Sequence, residues 1–126
     1  MPVRSLRSAV FKWPDGRTVD QAARIWADET VKKHRDLIRI GYFGSYASGD
    51  WGVGSDLDLV LVVESSNFPM ERRGLLFDTS KIPVPCDVLV YTREEWSRLM
   101  RGKGRFAEML KNVAVWVYEQ EMGSSS

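Results

Sequence analysis

Residues 41–63 read GYFGSYASGDWGVGSDLDLVLVV. An apolar run over 37–43, broken by Arg39, ends at Gly44-Ser45, and a loop of small residues containing Gly49, Gly52 and Gly54 follows. Ser55-Asp56-Leu57-Asp58-Leu59 then opens a second apolar run that reaches Val63. Its leucine-rich, β-branched composition is that of a buried strand. Packing gives no reason for two acids at the start of such a strand, because a buried carboxylate without a partner is costly.

Geometry narrows what holds those charges. Residues i and i+2 on a strand share a face, about 6.6 Å apart along the backbone. Asp56 and Asp58 therefore project together, while Leu57 and Leu59 face the other way. Convergent carboxylates repel unless a proton or a cation lies between them. Hard divalent ions such as Mg²⁺ take oxygen ligands of this kind and fill their remaining positions with water or phosphate. Upstream, Gly44-Ser45 falls where a strand turns into a short helical segment, and free backbone N–H groups at such a turn suit phosphate oxygens. A phosphate cradle beside metal-binding carboxylates on adjacent strands implies a nucleoside triphosphate.

The pattern of Gly44-Ser45, nine residues, then Ser55-Asp56-Leu57-Asp58-Leu59 resembles the minimal nucleotidyltransferases (MNT) of the polymerase-beta superfamily. That family needs a third carboxylate on a later strand, and Cys86-Asp87-Val88-Leu89-Val90-Tyr91 supplies it. The likeness covers about residues 36–119. It implies an α/β fold: a small, mixed, twisted sheet with helices packed on one face. It also implies two Mg²⁺ ions, one held by Asp56, Asp58 and Asp87 and the other by Asp56 and Asp58. Asp87 would take the acceptor's proton, and Gly44, Ser45 and Ser55 would bind the nucleotide. ATP would be the substrate and AMP the transferred group. Many relatives carry an Arg soon after the Gly-Ser pair, where this chain has Tyr46, which leaves less positive charge at the phosphate site. Little chain remains for an acceptor domain, so the resemblance points further, to the antitoxin of HEPN–MNT toxin–antitoxin pairs, whose acceptor is a tyrosine of a helical partner. Trp51, Phe68 and Met70 are candidate contacts to that partner, although for Trp51 packing over the sheet edge is the favoured reading. Two other readings stay open: a nucleotidyltransferase acting on aminoglycoside-like small molecules, and a nucleotide-binding subunit without transfer. Three acids could also form an inert rim.

Composition sets outer bounds. A chain of 126 residues reads as one domain, 1–126, with a basic extension over 1–17 and a flexible tail over 120–126. Its net charge of +1 gives no global field toward nucleic acid or membrane, so direct nucleic-acid binding is not expected. One cysteine, Cys86, precludes an internal disulfide and suits a reducing cytoplasm. No apolar run suggests a signal peptide or a membrane span.

The remaining elements follow from local signals. Ala9-Val10-Phe11 reads as a short strand before a turn at Pro14-Asp15-Gly16. Thr18-Val19-Asp20-Gln21 reads as a capping box that opens a helix over about 19–34, with Trp26 in its apolar stripe and His34 solvated beyond it. Residues 70–79 have helical spacing, with Arg72 and Arg73 on the surface. Cys86 reads as a small buried hydrophobe rather than a nucleophile. Thr92 and Glu95 form a second capping box, starting a helix to about Met100. A short helix through Phe106, Met109 and Leu110 and a last strand over 114–118 complete the chain.

Overall fold

The computed structural model describes residues 13–120; the expected strand at 9–11, most of the basic extension and nearly all of the tail lie outside them. Five α-helices and four strands follow in the order α1 (Gly16–Lys33), β1 (Leu37–Phe43), α2 (Ser45–Ser48), β2 (Leu57–Val63), α3 (Met70–Arg73), a 3₁₀ turn (Gly74–Leu76), β3 (Cys86–Thr92), α4 (Arg93–Arg101), α5 (Arg105–Asn112) and β4 (Val115–Glu119). The strands lie side by side as β3-β2-β1-β4. β1 is antiparallel to β2 and to β4, whereas β2 and β3 run parallel. The sheet is mixed, as expected.

Helices cover both faces, which corrects the expectation of one. Leu57, Leu59, Leu61 and Val63 of β2 join Ile40, Tyr42 and Val90 in a cluster with Val19, Ala23, Trp26 and Ala27 of α1. Val60 and Val62 point the other way, into a cluster with Ile38, Trp96 of α4 and Leu110 of α5. β2 is thus buried on both sides, and its unbroken apolar run reflects that. Arg39, the charge inside β1, lies with its guanidinium 4.0 Å from the centre of the Trp116 ring. It also pairs with Glu119 of β4 at 2.5 Å. A cation over an aromatic face accounts for a charge in an otherwise apolar strand.

α1 begins earlier than its sequence suggests. Asp15 is the N-cap, its carboxylate accepting from the Thr18 N–H at 2.9 Å, so Thr18 lies inside the helix and no box forms with Gln21. Side-chain oxygens of Asp and Thr are both good caps, and the earlier one has claimed the free N–H. Trp26 packs into the core and donates its indole N–H to the Asp78 carbonyl at 2.7 Å. His34 is half-buried rather than solvated, its ring 4.5 Å from that of Phe77.

The segment after β2 departs most from expectation. α3 has one turn and passes into 3₁₀ geometry, and Leu75 is 85% exposed. A Cβ on Gly74 would lie 2.7 Å from the Val88 carbonyl oxygen, so a glycine here lets the chain sit directly on β3. Arg73 is not a surface residue: it is only 6% exposed. Its guanidinium donates to the Phe68 and Val90 carbonyls and to both carboxylate oxygens of Glu95. Glu95 in turn accepts from the Thr92 N–H, while Thr92 Oγ1 accepts from the Glu95 N–H, so the expected capping box is present. One carboxylate both caps α4 and neutralises a buried cation.

That double duty has a measurable consequence. Arg73, followed by the Thr92 N–H, holds the Glu95 carboxyl down to about 2. A folded-state value below the unfolded one stabilises the fold fully above about pH 4.5, and the gain is lost as pH falls toward 2. Glu95→Ala leaves the guanidinium buried and unpaired, and is expected to destabilise the protein by about 3 kcal/mol at neutral pH. Thermal melts of wild type and Glu95→Gln should converge on acidification below pH 4.5; a gap independent of pH would contradict this role.

Candidate active site

Two strand starts and one strand end meet at the same edge of the sheet. Because β1 is antiparallel to β2, its last residue, Phe43, pairs with Asp58, near the beginning of β2. Because β3 is parallel to β2, Asp87 pairs with Asp58 from the other side. The Leu57 N–H donates to the Pro85 carbonyl at 2.8 Å and fastens the two parallel strands where their acids emerge. Asp56 lies just before β2 rather than on it and is exposed, as is Asp87, whereas Asp58 is half-buried between them.

The loop after β1 is shaped around Asp58. Gly44 has φ +78°, in the left-handed region, and caps the single turn of α2. A Cβ at this position would run into Asp58 Oδ2. Glycine is therefore required twice, by backbone conformation and by the carboxylate that lies against it. The first turn of α2 leaves the N–H groups of Ser45 and Tyr46 without intrahelical partners. Ser55 closes a turn: its Oγ accepts from the Gly52 N–H at 2.8 Å and its own N–H donates to the Gly52 carbonyl, which presents Asp56. Trp51 packs, stacking on Tyr46 with ring centres 5.6 Å apart, while Tyr46 Oη accepts from the Trp13 indole at 2.8 Å. These contacts fix the loop to the start of α1.

Electrostatics mark the same place. Burial, and then the charges of Asp87 and Asp56, raise the Asp58 carboxyl above its usual range. Asp58 thus feels both neighbouring acids, and a cation beside it would relieve the repulsion. Among the described residues no group of three His, Cys, Asp or Glu side chains is drawn together tightly enough to form a ready-made metal cage. The donor set nonetheless fits a hard divalent ion, being carboxylate oxygen on two adjacent strand starts. The thiol of Cys86, next to Asp87, is pushed up to about 11 mainly by burial and is no nucleophile at neutral pH. A cavity of about 340 Å³ opens beside Asp87, lined among others by Glu71, Gly74, Leu75 and Cys86.

Gly44→Ala is expected to destabilise the chain by about 1–3 kcal/mol through the strained φ. It should also displace Asp58 and weaken Mg²⁺-dependent ATP binding by at least about tenfold, the worth of one charge-assisted contact. Isothermal titration that finds wild-type affinity in a folded Gly44→Ala variant would show that the packing of Asp58 on the loop does not matter.

A family model described as a nucleotidyltransferase domain matches residues 24–115. The match spans well over half of the chain and takes in Gly44, Ser45 and all three acids; the chain belongs to the nucleotidyltransferase domain family. Solved structures share the fold, and two of them are similar over most of this chain. One, at 1.40 Å resolution, is a candidate nucleotidyltransferase from Sulfolobus solfataricus, 19% identical, with a TM-score of 0.58 over 87% of this chain and 92% of that one. The other is a toxin–antitoxin structure with AMP-PNP, 14% identical, with a TM-score of 0.53 over 81% of this chain and 77% of its counterpart. No curated protein matches the sequence significantly. No helix among the described residues is long and apolar enough to cross a membrane.

Sequence reasoning missed one neighbour of the site. The Phe106 ring meets Phe43 edge-on, with centres 5.5 Å apart, and brings the start of α5 against the end of β1, where Phe43 pairs with Asp58. Nothing local signals this contact, because it joins two elements far apart in the chain.

Proposed function

We propose that this chain is a Mg²⁺-dependent nucleotidyltransferase that moves AMP from ATP to a hydroxyl acceptor, a tyrosine of a helical HEPN-type toxin whose antitoxin it is. The observation that carries the transferase reading is the register pair of Asp58 and Asp87, set beside a glycine whose missing side chain makes room for the Asp58 carboxylate. Asp56, Asp58 and Asp87 would hold Mg²⁺, which when bound supplies charge neutralisation at the phosphates and a lower pKa at the acceptor hydroxyl. Backbone N–H groups of the turn that Gly44 opens, those of Ser45 and Tyr46, would hold the outer phosphates with the Ser45 hydroxyl. Asp87, the more exposed acid of the pair, faces the acceptor and takes its proton. The freed oxygen attacks the α-phosphorus in line, the bond to the bridging oxygen breaks, and pyrophosphate leaves. The cavity beside Asp87 is where an acceptor side chain approaches. Positioning and charge neutralisation supply the rate.

The partner assignment rests on the fold shared with a chain of a toxin–antitoxin structure that contains AMP-PNP, and on exposed apolar residues, Phe68, Leu75 and Leu76, in one segment. Incubating the chain with Mg²⁺, ATP and a co-expressed HEPN-type protein should raise the partner's intact mass by one AMP unit per modified site. A partner that binds but keeps its mass would refute protein modification, and turnover with aminoglycosides would move the acceptor to small molecules.

A further inference from the structure

The Gly44-Ser45 loop and the strand starts that carry the acids have no Lys or Arg of their own. From Ile40 to Glu71 the chain contains no Lys or Arg, yet it carries Asp50, Asp56 and Asp58 there. β3 adds Asp87 and no cation, and Lys81, upstream of it, pairs with Glu29 on α1. Ions held by the carboxylates would offset those carboxylates. The tail of a triphosphate still needs donors of its own, and Lys and Arg are the side chains that supply charge-assisted bonds to phosphate.

The Phe43–Phe106 contact brings such donors to the edge. Phe43 immediately precedes Gly44 and, as the cross-strand partner of Asp58, shares its face of the sheet. Phe106 lies in the first turn of α5, so this ring contact anchors the start of that helix at the end of β1, beside the residue that pairs with Asp58. Directly before it the chain reads Arg101-Gly102-Lys103-Gly104-Arg105, three cations without an acid. All three are exposed, and none forms an ion pair with another described residue. Arg101 closes the last turn of α4, where a cation serves the helix dipole. Lys103 and Arg105 have no such local use.

We infer that Lys103 and Arg105 are phosphate-tail-binding residues, supplying from the α4–α5 connection the positive charge that the Gly44-Ser45 loop lacks. This rests on the nucleotidyltransferase reading and adds to it where the β- and γ-phosphates find their protein cations. Both side chains are exposed, so replacing them leaves the core untouched.

Isothermal titration of Mg·ATP and of AMP into the full chain, with Lys103→Ala, Arg105→Ala and the double variant, separates the possibilities. The double variant should bind Mg·ATP at least about a hundredfold more weakly, two charge-assisted contacts being lost, and AMP within about twofold of wild type. Melting temperatures should not change. Wild-type affinity for Mg·ATP in the double variant overturns the inference. Equal losses for AMP and Mg·ATP overturn it too, since they would put these residues on the base or sugar. If wild type itself binds no Mg·ATP, the nucleotidyltransferase reading fails first, and visibly so, before any variant is compared.

Discussion

Asp58→Asn is expected to abolish nucleotidyl transfer while leaving the protein folded. The change is nearly isosteric and removes a charge that burial and the neighbouring acids already disfavour. It also removes the carboxylate central to the site, paired in register with Phe43 on one side and Asp87 on the other. On the two-ion scheme Asp58 serves both ions, so its loss should reduce both Mg·ATP affinity and the chemical step. We expect transfer to fall by at least about a thousandfold, the scale of removing one member of a preorganised charge-stabilising set. A purified, folded Asp58→Asn protein within a few-fold of wild-type turnover would remove the metal-site assignment altogether.

Asp87→Asn should behave differently. Asp87 emerges from the edge strand and borders the open cavity, whereas Asp56 and Asp58 lie on the chain that continues from the phosphate loop. Its replacement should leave Mg·ATP affinity within about tenfold of wild type, because a nucleotide-side ion would still have Asp56 and Asp58 to hold it. Transfer should still fall by about two to four orders of magnitude as acceptor deprotonation is lost. Titration calorimetry on the Asp56→Asn and Asp87→Asn variants, run beside single-turnover transfer, makes the comparison. Equal losses of ATP binding in the two would refute the division of labour.

How much of this was legible in the chain varies with the range of the interaction. The boundaries of β1 and β2 could be read directly, because an apolar run that stops at Gly-Ser and another that starts at Asp are local signals. The Thr92–Glu95 box was legible for the same reason, with both partners within one turn. The start of α1 was not, because Asp15 and Thr18 are both competent caps and sequence does not say which one takes the free N–H. Arg73 read as a surface residue because its neutralising partner is 22 residues away. Leu75 and Leu76 fitted a helical spacing, but Gly74 is pinned to β3 and turns them outward. The placement of helices on both faces depends on connections through the sheet, which periodicity alone does not encode. At the site, residue types and order were legible, whereas the α5 contact through Phe43 and Phe106 was not.

Asp56, Asp58 and Asp87 are expected to bind divalent cations together with a nucleoside triphosphate. Electron paramagnetic resonance of Mn²⁺, titrated into the protein with a non-hydrolysable ATP analogue, tests this most directly. The free hexa-aquo signal should be lost to two sites per chain when the nucleotide is present, and those sites should be lost in Asp58→Asn. Mn²⁺ that stays free with nucleotide present, or binding that survives unchanged in Asp58→Asn, would contradict it.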